Sequence, residues 1–474
     1  MKKLLIIATT IISLLYGYQN SFAAIAAATV WECRTTGVST NGGGYSSGGT
    51  DYSQQDAAQY SPTDLANLSA STTLTSAAAG FTSAMVGNVI YIASGTNFIA
   101  GYYQITAYTN TSTVAIDRTA NATLDASAGV GYVGGATNHP DTISAKVVAG
   151  NTIYIAGGTY NEVGANTYVL NTAVAGGAGT PIKWIGYKSG TARTAATLTD
   201  RPLFDATGVT NGIVADVAGN IFYNLRTTGA TAAGITVSST DLFLNCQSYS
   251  NGTTGFTLSA GLLIGCESSL NTTIGFSLAL GTQVWSCYSH DNTTTGLTSS
   301  GGLVQESISE SNSSHGFSFS GLSDPGVYRN LIAYGNTGAA VDGVNSSVGA
   351  SGITRSFINC IFATNGRYGF NTVTSTLYFN YNCYNGNGTA GLNGITGGAN
   401  DTTADPLFTA PTANPPDFTV SSSSPVLGVG FPDANWAVNI GLATGAYKQN
   451  IGVDQDDNTA AGAGGGRGAR FINN

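Results

Sequence analysis

Four carboxylates stand close together in a stretch with little other charge: Glu267, Asp291, Glu306 and Glu310, with His290 and His315 nearby. Two carboxyl groups held across a glycosidic bond, one protonated and one ionised, are enough for acid/base hydrolysis of a sugar polymer. The same residues also read as a plain exposed His–Glu contact, worth little. A second set could bind without reacting. Tyr249, Trp285, Tyr288 and Tyr334 lie in the same stretch, and aromatic faces interleaved with polar groups suit stacking on sugar rings. They equally read as ordinary padding of a strand surface.

A repeat decides which of these residues can meet. Asn, three residues, then Gly and a large apolar residue recur as Asn251…Gly255-Phe256, Asn271…Gly275-Phe276, Asn292…Gly296-Leu297 and Asn312…Gly316-Phe317. The pattern continues as Asn336…Ala340-Val341, Asn365…Gly369-Phe370 and Asn387…Gly391-Leu392, with a degenerate early copy at Ala230…Gly234-Ile235. The Asn positions step by 20, 21, 20, 24, 29 and 22. Five residues before each Asn, Cys246, Cys266, Cys287, Ser307, Leu331, Cys360 and Asn382 form a second column. Three residues earlier runs a wholly apolar or aromatic column from Phe222 and Phe243 to Phe357 and Phe379.

The apolar runs are short, lack a helical period and end at Asn, Gly or Ser, which is strand-and-turn chemistry. Short strands at a period of about twenty residues predict an all-β parallel solenoid, one repeat per coil. Equivalent residues then stack about 4.8 Å apart. His290 and Glu310 each precede a ladder Asn by two residues, so they are expected side by side, facing solvent. Tyr249 and Tyr334 share that outward column, with Trp285 and Tyr288 flanking it. The Asn amides are expected to bond from coil to coil. Stacking also favours free thiols over disulfides, because parallel neighbours sit too far apart to bridge comfortably. A zinc site lacks the needed C-x-x-C spacing.

The Cys-x4-Asn-x3-Gly-Phe coil resembles that of the right-handed parallel β-helix proteins of pectate-lyase-like type. Gly150–Glu162 is similar to their first complete coil, Pro181–Tyr187 to the second and Arg201–Asp205 to the third. Asp405-Pro-Leu-Phe408, Asp417–Val420 and Ser424-Pro425 resemble their closing segment, although Val429 stands before Gly430 where relatives often carry an acid. The resemblance implies a fold shared by lyases, hydrolases, adhesins and phage spikes. Lyases of this fold use a Lys or Arg base, often with calcium on several Asp residues. Here Lys is absent between Lys188 and Lys448, no coil shows paired Asp, and Arg226, Arg329, Arg355 and Arg367 are scattered. No lyase residue carries over. Hydrolases of the fold use carboxylates on adjacent coils, which implies the Glu267, Asp291, Glu306 and Glu310 set.

The rest of the chain frames this solenoid. Residues 1–23 read as a secretory signal: Lys2 and Lys3, an apolar run from Leu4 to Tyr16, then Ser21-Phe22-Ala23. Residues 24–134 read as a β-rich N-terminal cap module, 135–400 as the parallel β-helix, 401–447 as a closing segment and 448–474 as a flexible Gly/Ala-rich tail. Asp454, Asp456 and Asp457 form a calcium-like cluster without the Gly and Glu of an EF-hand loop, so no cofactor is expected, with calcium as the alternative. Sequons occur at Asn67, Asn110, Asn121, Asn251, Asn271, Asn292, Asn312, Asn345, Asn387 and Asn400.

Composition narrows the function. Only 9% of the 474 residues are charged and the net charge is −9, against about 25% charged in ordinary domains. Nucleic-acid binding by a basic footprint is excluded. After signal cleavage no segment is expected to insert in a membrane. The leading reading is an exported protein that binds extracellular polysaccharide along one solenoid face, for adhesion or recognition. The alternatives are a polysaccharide hydrolase or lyase, and a structural surface or filament subunit. The oligomeric state is not legible.

Overall fold

A computed structural model describes residues 25–431, apart from 163–164, 191–192, 195, 198, 322–325, 348–353 and 375, together with 451–452. The expected signal, the Asp454–Asp457 run and nearly all of the tail lie outside the described residues. No helix among the described residues is long and apolar enough to cross a membrane.

The chain divides into two units, 1–32 with 36–137, and 33–35 with 138–474. The first contains more than a β-rich module: six antiparallel strands close into a barrel. Its order is Leu65–Asn67, Thr73–Thr75, Thr113–Ile116, Gly101–Asn110, Val89–Thr96 and Ala126–Val133. Alternation fills it, since Ile90, Ile92, Tyr103, Ile105, Val114 and Val133 all point into one buried cluster. Closure leaves no bare sheet edge to pair with another chain.

The second unit is built from coils of three short strands. One coil is Leu262–Ile264, Glu267–Ser269 and Phe276–Leu278. Successive coils pair in parallel and in register, so each strand position becomes a sheet. The first sheet runs from Thr152–Ala156 to Thr376–Asn380, the second from Thr159–Asn161 to Cys383–Asn385, and the third from Tyr168–Asn171 to Ala390–Asn393. Parallel crossovers of this kind are right-handed. The chain is a right-handed parallel β-helix.

Its interior is a set of ladders. Phe222 pairs with Phe243, and their rings stack 4.3 Å apart; Phe256 stacks on Phe276 at 5.1 Å. The Asn ladder bonds as expected: each side-chain Nδ2 donates to the Oδ1 of the next, at 2.9 Å for Asn251–Asn271 and Asn271–Asn292 and 3.0 Å for Asn292–Asn312. The same Oδ1 also accepts from the backbone N–H of the preceding ladder Asn, so buried amides are fully used. This buries the sequons Asn251, Asn271, Asn292 and Asn312 to 1% exposure or less, out of reach of glycosylation in the folded chain. All six cysteines are buried and free. Burial raises the Cys246 and Cys266 thiols well above their ordinary range, and Cys360 to about 12.

Two left-handed turn positions recur in the coils from Asn220 onward. Asn224, Asn245, Gly265, Ser286, Glu306, Asn330 and Asn359 hold the first, with φ between 50° and 63°. Asn and Gly adopt this conformation most readily. One repeat assignment is corrected. Val344, not Val341, pairs with Phe317, because the coil of Asn336 carries extra residues before Gly343.

The closing segment does not merely end the chain. Phe408–Ala410 and Asp417–Val420 form an antiparallel hairpin. Phe418, Val426 and Ile451 pack on Ile308, Ile332 and Ile361, which point outward from the second sheet.

Candidate functional site

Strands of the second sheet present their first and third residues outward. The first-residue column runs Gln247, Glu267, Tyr288, Ile308. The third-residue column runs Tyr249, Ser269, His290, Glu310, Tyr334. Coil stacking therefore brings together groups that are 20 to 23 residues apart in the chain.

Gln247 Nε2 donates to Glu267 Oε1 at 2.8 Å. The same oxygen lies 3.2 Å from His290 Nε2, and His290 Nδ1 lies 2.8 Å from Asp291 Oδ2. With a carboxylate at each ring nitrogen, the imidazolium is favoured. Burial works against the charge, but the Asp291 and Glu267 contacts outweigh it and raise His290 to about 9. Burial pushes Glu267 upward too, yet the His290 hydrogen bond and charge bring it below the ordinary range. Asp291 occupies a left-handed turn, φ 52°, that aims it back at the ring.

Glu310 behaves oppositely. The Tyr288 ring stacks on His290 at 4.3 Å and 20°, and the Tyr288 hydroxyl donates to Glu310 Oε1. Burial raises Glu310 above the ordinary carboxylate range, only partly offset by the Tyr288 bond. Burial and the neighbouring Glu310 raise the Tyr288 phenol strongly. Two carboxyl groups are thus driven apart in acidity across one stacked pair of rings, which is how one site holds an acid and a base at the same pH.

Several expectations change. Glu310 is 7% exposed, not solvent-facing. Tyr288 is buried, with its hydroxyl engaged by Glu310. Tyr334 makes edge contacts with Phe408 and Phe418 at 5.8 and 5.4 Å, so the closing hairpin covers part of it and leaves it half-buried. Trp285 belongs to the first sheet, on the far side of the Ser286 turn. Tyr249 stays half-buried at the uncovered end of the column. Glu306 stands in the turn between the first and second sheets, where it accepts from Ser286 Oγ at 3.1 Å. It does not join the cluster.

His315 lies elsewhere, beside the third sheet. Its Nδ1 accepts from the Asp342 backbone N–H at 3.1 Å. Asp342 is fully buried, and Arg367 donates to both of its oxygens, at 2.8 and 2.6 Å. The sequence reading missed Asp342 and Gln247. Gln247 was findable, one repeat before Glu267. Asp342 precedes Gly343 as His315 precedes Gly316, but the inserted residues in that coil hide the correspondence. No group of His, Cys, Asp and Glu among the described residues could hold a metal ion.

No family model and no curated protein matches this chain. Solved structures do. Pectate lyase Pel9A is similar with 14% identity over 67% of this chain and 90% of that chain, TM-score 0.46. A rhamnogalacturonan lyase shows 14% identity over 58% and 86%, TM-score 0.45. The A-module of the Azotobacter vinelandii mannuronan C-5 epimerase AlgE4 shows 11% identity over 55% and 85%, TM-score 0.35.

Proposed function

We propose that this chain cleaves an extracellular polysaccharide at the outer face of the second sheet. The carrying observation is the opposed acidity of Glu310 and Glu267 on either side of His290, with Asp291 2.8 Å from the same ring. In this reading the Glu310 O–H protonates the departing glycosidic oxygen as the C–O bond breaks. Asp291, the more exposed carboxylate at 51% side-chain exposure, takes a proton from water as that water adds to the anomeric carbon. Glu267 and Gln247 hold His290 in place, and His290 Nδ1 holds the Asp291 carboxyl beside the ring at 2.8 Å. Tyr249 offers a ring to a neighbouring sugar.

Catalysis is favoured over adhesion alone because, of the four aromatics expected to form a binding platform, Tyr288 is buried and half-buried Tyr334 packs against the rings of the closing hairpin. The test is release of reducing ends, and of unsaturated products, from a panel of neutral and acidic polysaccharides. Glu310→Gln should cut the rate by about 100-fold or more, the usual range for a general acid, while Glu306→Gln should leave it unchanged. Full activity in Glu310→Gln would remove that residue from the mechanism, and saturable binding with no product would return the chain to the adhesion reading.

A further inference from the structure

The candidate site lies where an open groove meets a wall. Followed from His290 toward lower residue numbers, the two outward columns of the second sheet run through Gln247 and Tyr249, Arg226 and Thr228, then Leu203 and Asp205. All six are at least partly exposed. In the other direction the columns close at once. Ile308, on the strand that carries Glu310, is 2% exposed, and Ile332 and Ile361 on the next two coils are 1% exposed. Phe418, Val426 and Ile451 pack on them. Tyr334 follows Glu310 in its column, and the Phe408 and Phe418 rings stand edge-on to it. These two rings also meet each other at 5.2 Å, so they form one barrier.

Given the cleavage at Glu310 set out above, we propose that this wall makes the chain cut its polymer from one end and release short products. The acid, the base and the Tyr249 ring follow one another along the columns, so the sugar chain is laid along them. Five strand pairings separate Glu310 from Asp205, about 24 Å at the coil spacing, which is room for several sugar units. Past Glu310 the barrier begins about one coil on, roughly 5 Å away. A polymer whose glycosidic oxygen reaches Glu310 must therefore end at or just beyond that bond. Cutting an internal bond would drive the continuing chain into Phe408 and Phe418. The antiparallel pairing of Phe408–Ala410 with Asp417–Val420 braces both rings. Moving Phe418 aside would open the sealed apolar cluster to water. Binding energy then comes from one side of the bond only, and it grows with chain length until the open groove is filled. Phe408, at the edge of the cluster, is the specificity-determining residue.

Product size and polymer viscosity during cleavage test this, on the linear glucans and linear polyuronates of the same panel. The native chain should release mono- or disaccharides from the first time points while viscosity stays near its starting value. On oligosaccharides of graded length, kcat/KM should rise with length and then level off, and Tyr249→Ala should remove most of that rise. Phe408→Ala should raise internal cuts relative to end release by about tenfold or more, the weight of a steric contact in a pocket. Phe408 is only partly buried, so this exchange spares the buried members of the cluster. An early fall in viscosity with long fragments from the native chain would overturn the proposal and leave the cleavage reading intact. Strict end release by a folded Phe408→Ala would overturn the wall as its cause. No product from any member of the panel would instead remove the cleavage reading, and end release with it.

Discussion

The first and second sheets share a backbone, a period and a register, yet their outer faces differ. Both carry apolar side chains outward. On the second sheet the closing hairpin covers the last coils and leaves a charged cluster at the margin of the covered zone. On the first sheet Tyr223, Leu262 and Ile264 remain partly open. A solenoid ladder makes every outward column equivalent by construction. What sits on the column, and not the column itself, sets burial, acidity and the work a face can do.

The largest expected effect comes from placing a charge under the cover. Ile361→Glu should lose more than about 4 kcal/mol of stability, because an unpaired carboxylate would be sealed beneath Phe418 and Val426. The matching change on the open face, Leu262→Glu, should cost under about 1 kcal/mol, read by chemical denaturation. Equal losses would erase the distinction between the faces.

Removing the cover is the next step. Phe418→Ala should cost about 3–5 kcal/mol, as expected for a buried aromatic, and should expose Tyr334 to quenchers. If Tyr334 fluorescence does not change, the hairpin is not what covers it.

The charged margin has its own signature in pH. The folded His290 titrates near 9, above its ordinary value. A raised cation stabilises fully below its unfolded pKa, so this contribution is complete below about pH 6.5 and is lost as pH rises through about 9. The loss should be on the order of 3 kcal/mol, and His290→Gln should flatten it. The raised Glu310 acts in the same direction, since its proton is held more tightly in the folded chain and stability falls as pH rises past the ordinary carboxylate range. The smallest effect is expected at the first turn, where Glu306→Asn should change stability by less than about 1 kcal/mol and in the favourable direction, because Asn suits φ 51° better.

Most of the solenoid was legible from one sequence. Strict spacing placed Asn251, Asn271, Asn292 and Asn312 in one ladder and His290 beside Glu310, because parallel stacking turns a sequence period directly into spatial adjacency. Burial was not legible. Tyr334 and Phe418 lie far apart in sequence, and nothing in the local pattern of either says that one covers the other. The acidity of Glu310 follows from its burial, partly offset by the Tyr288 bond, so it was equally hidden. Val344 was misassigned because a longer turn breaks the count while keeping the ladder Asn336 in place. In the first unit, the alternation of Val89–Ile92, Tyr102–Ile105 and Val114–Ile116 announces strands, but closure into a barrel depends on the pairing of Leu65–Asn67 with Ala126–Val133, which no local signal carries.

The central claim is that Glu310 and the His290 cluster work as a pair. The pH dependence of polysaccharide cleavage tests it most directly, measured for the native chain and for Glu310→Gln. The native chain should lose activity as pH rises past a value above the ordinary carboxylate range, where Glu310 gives up its proton. Glu310→Gln should lose most of the activity together with that limb, with its thermal stability preserved. An unchanged rate and an unchanged profile in Glu310→Gln would contradict the account.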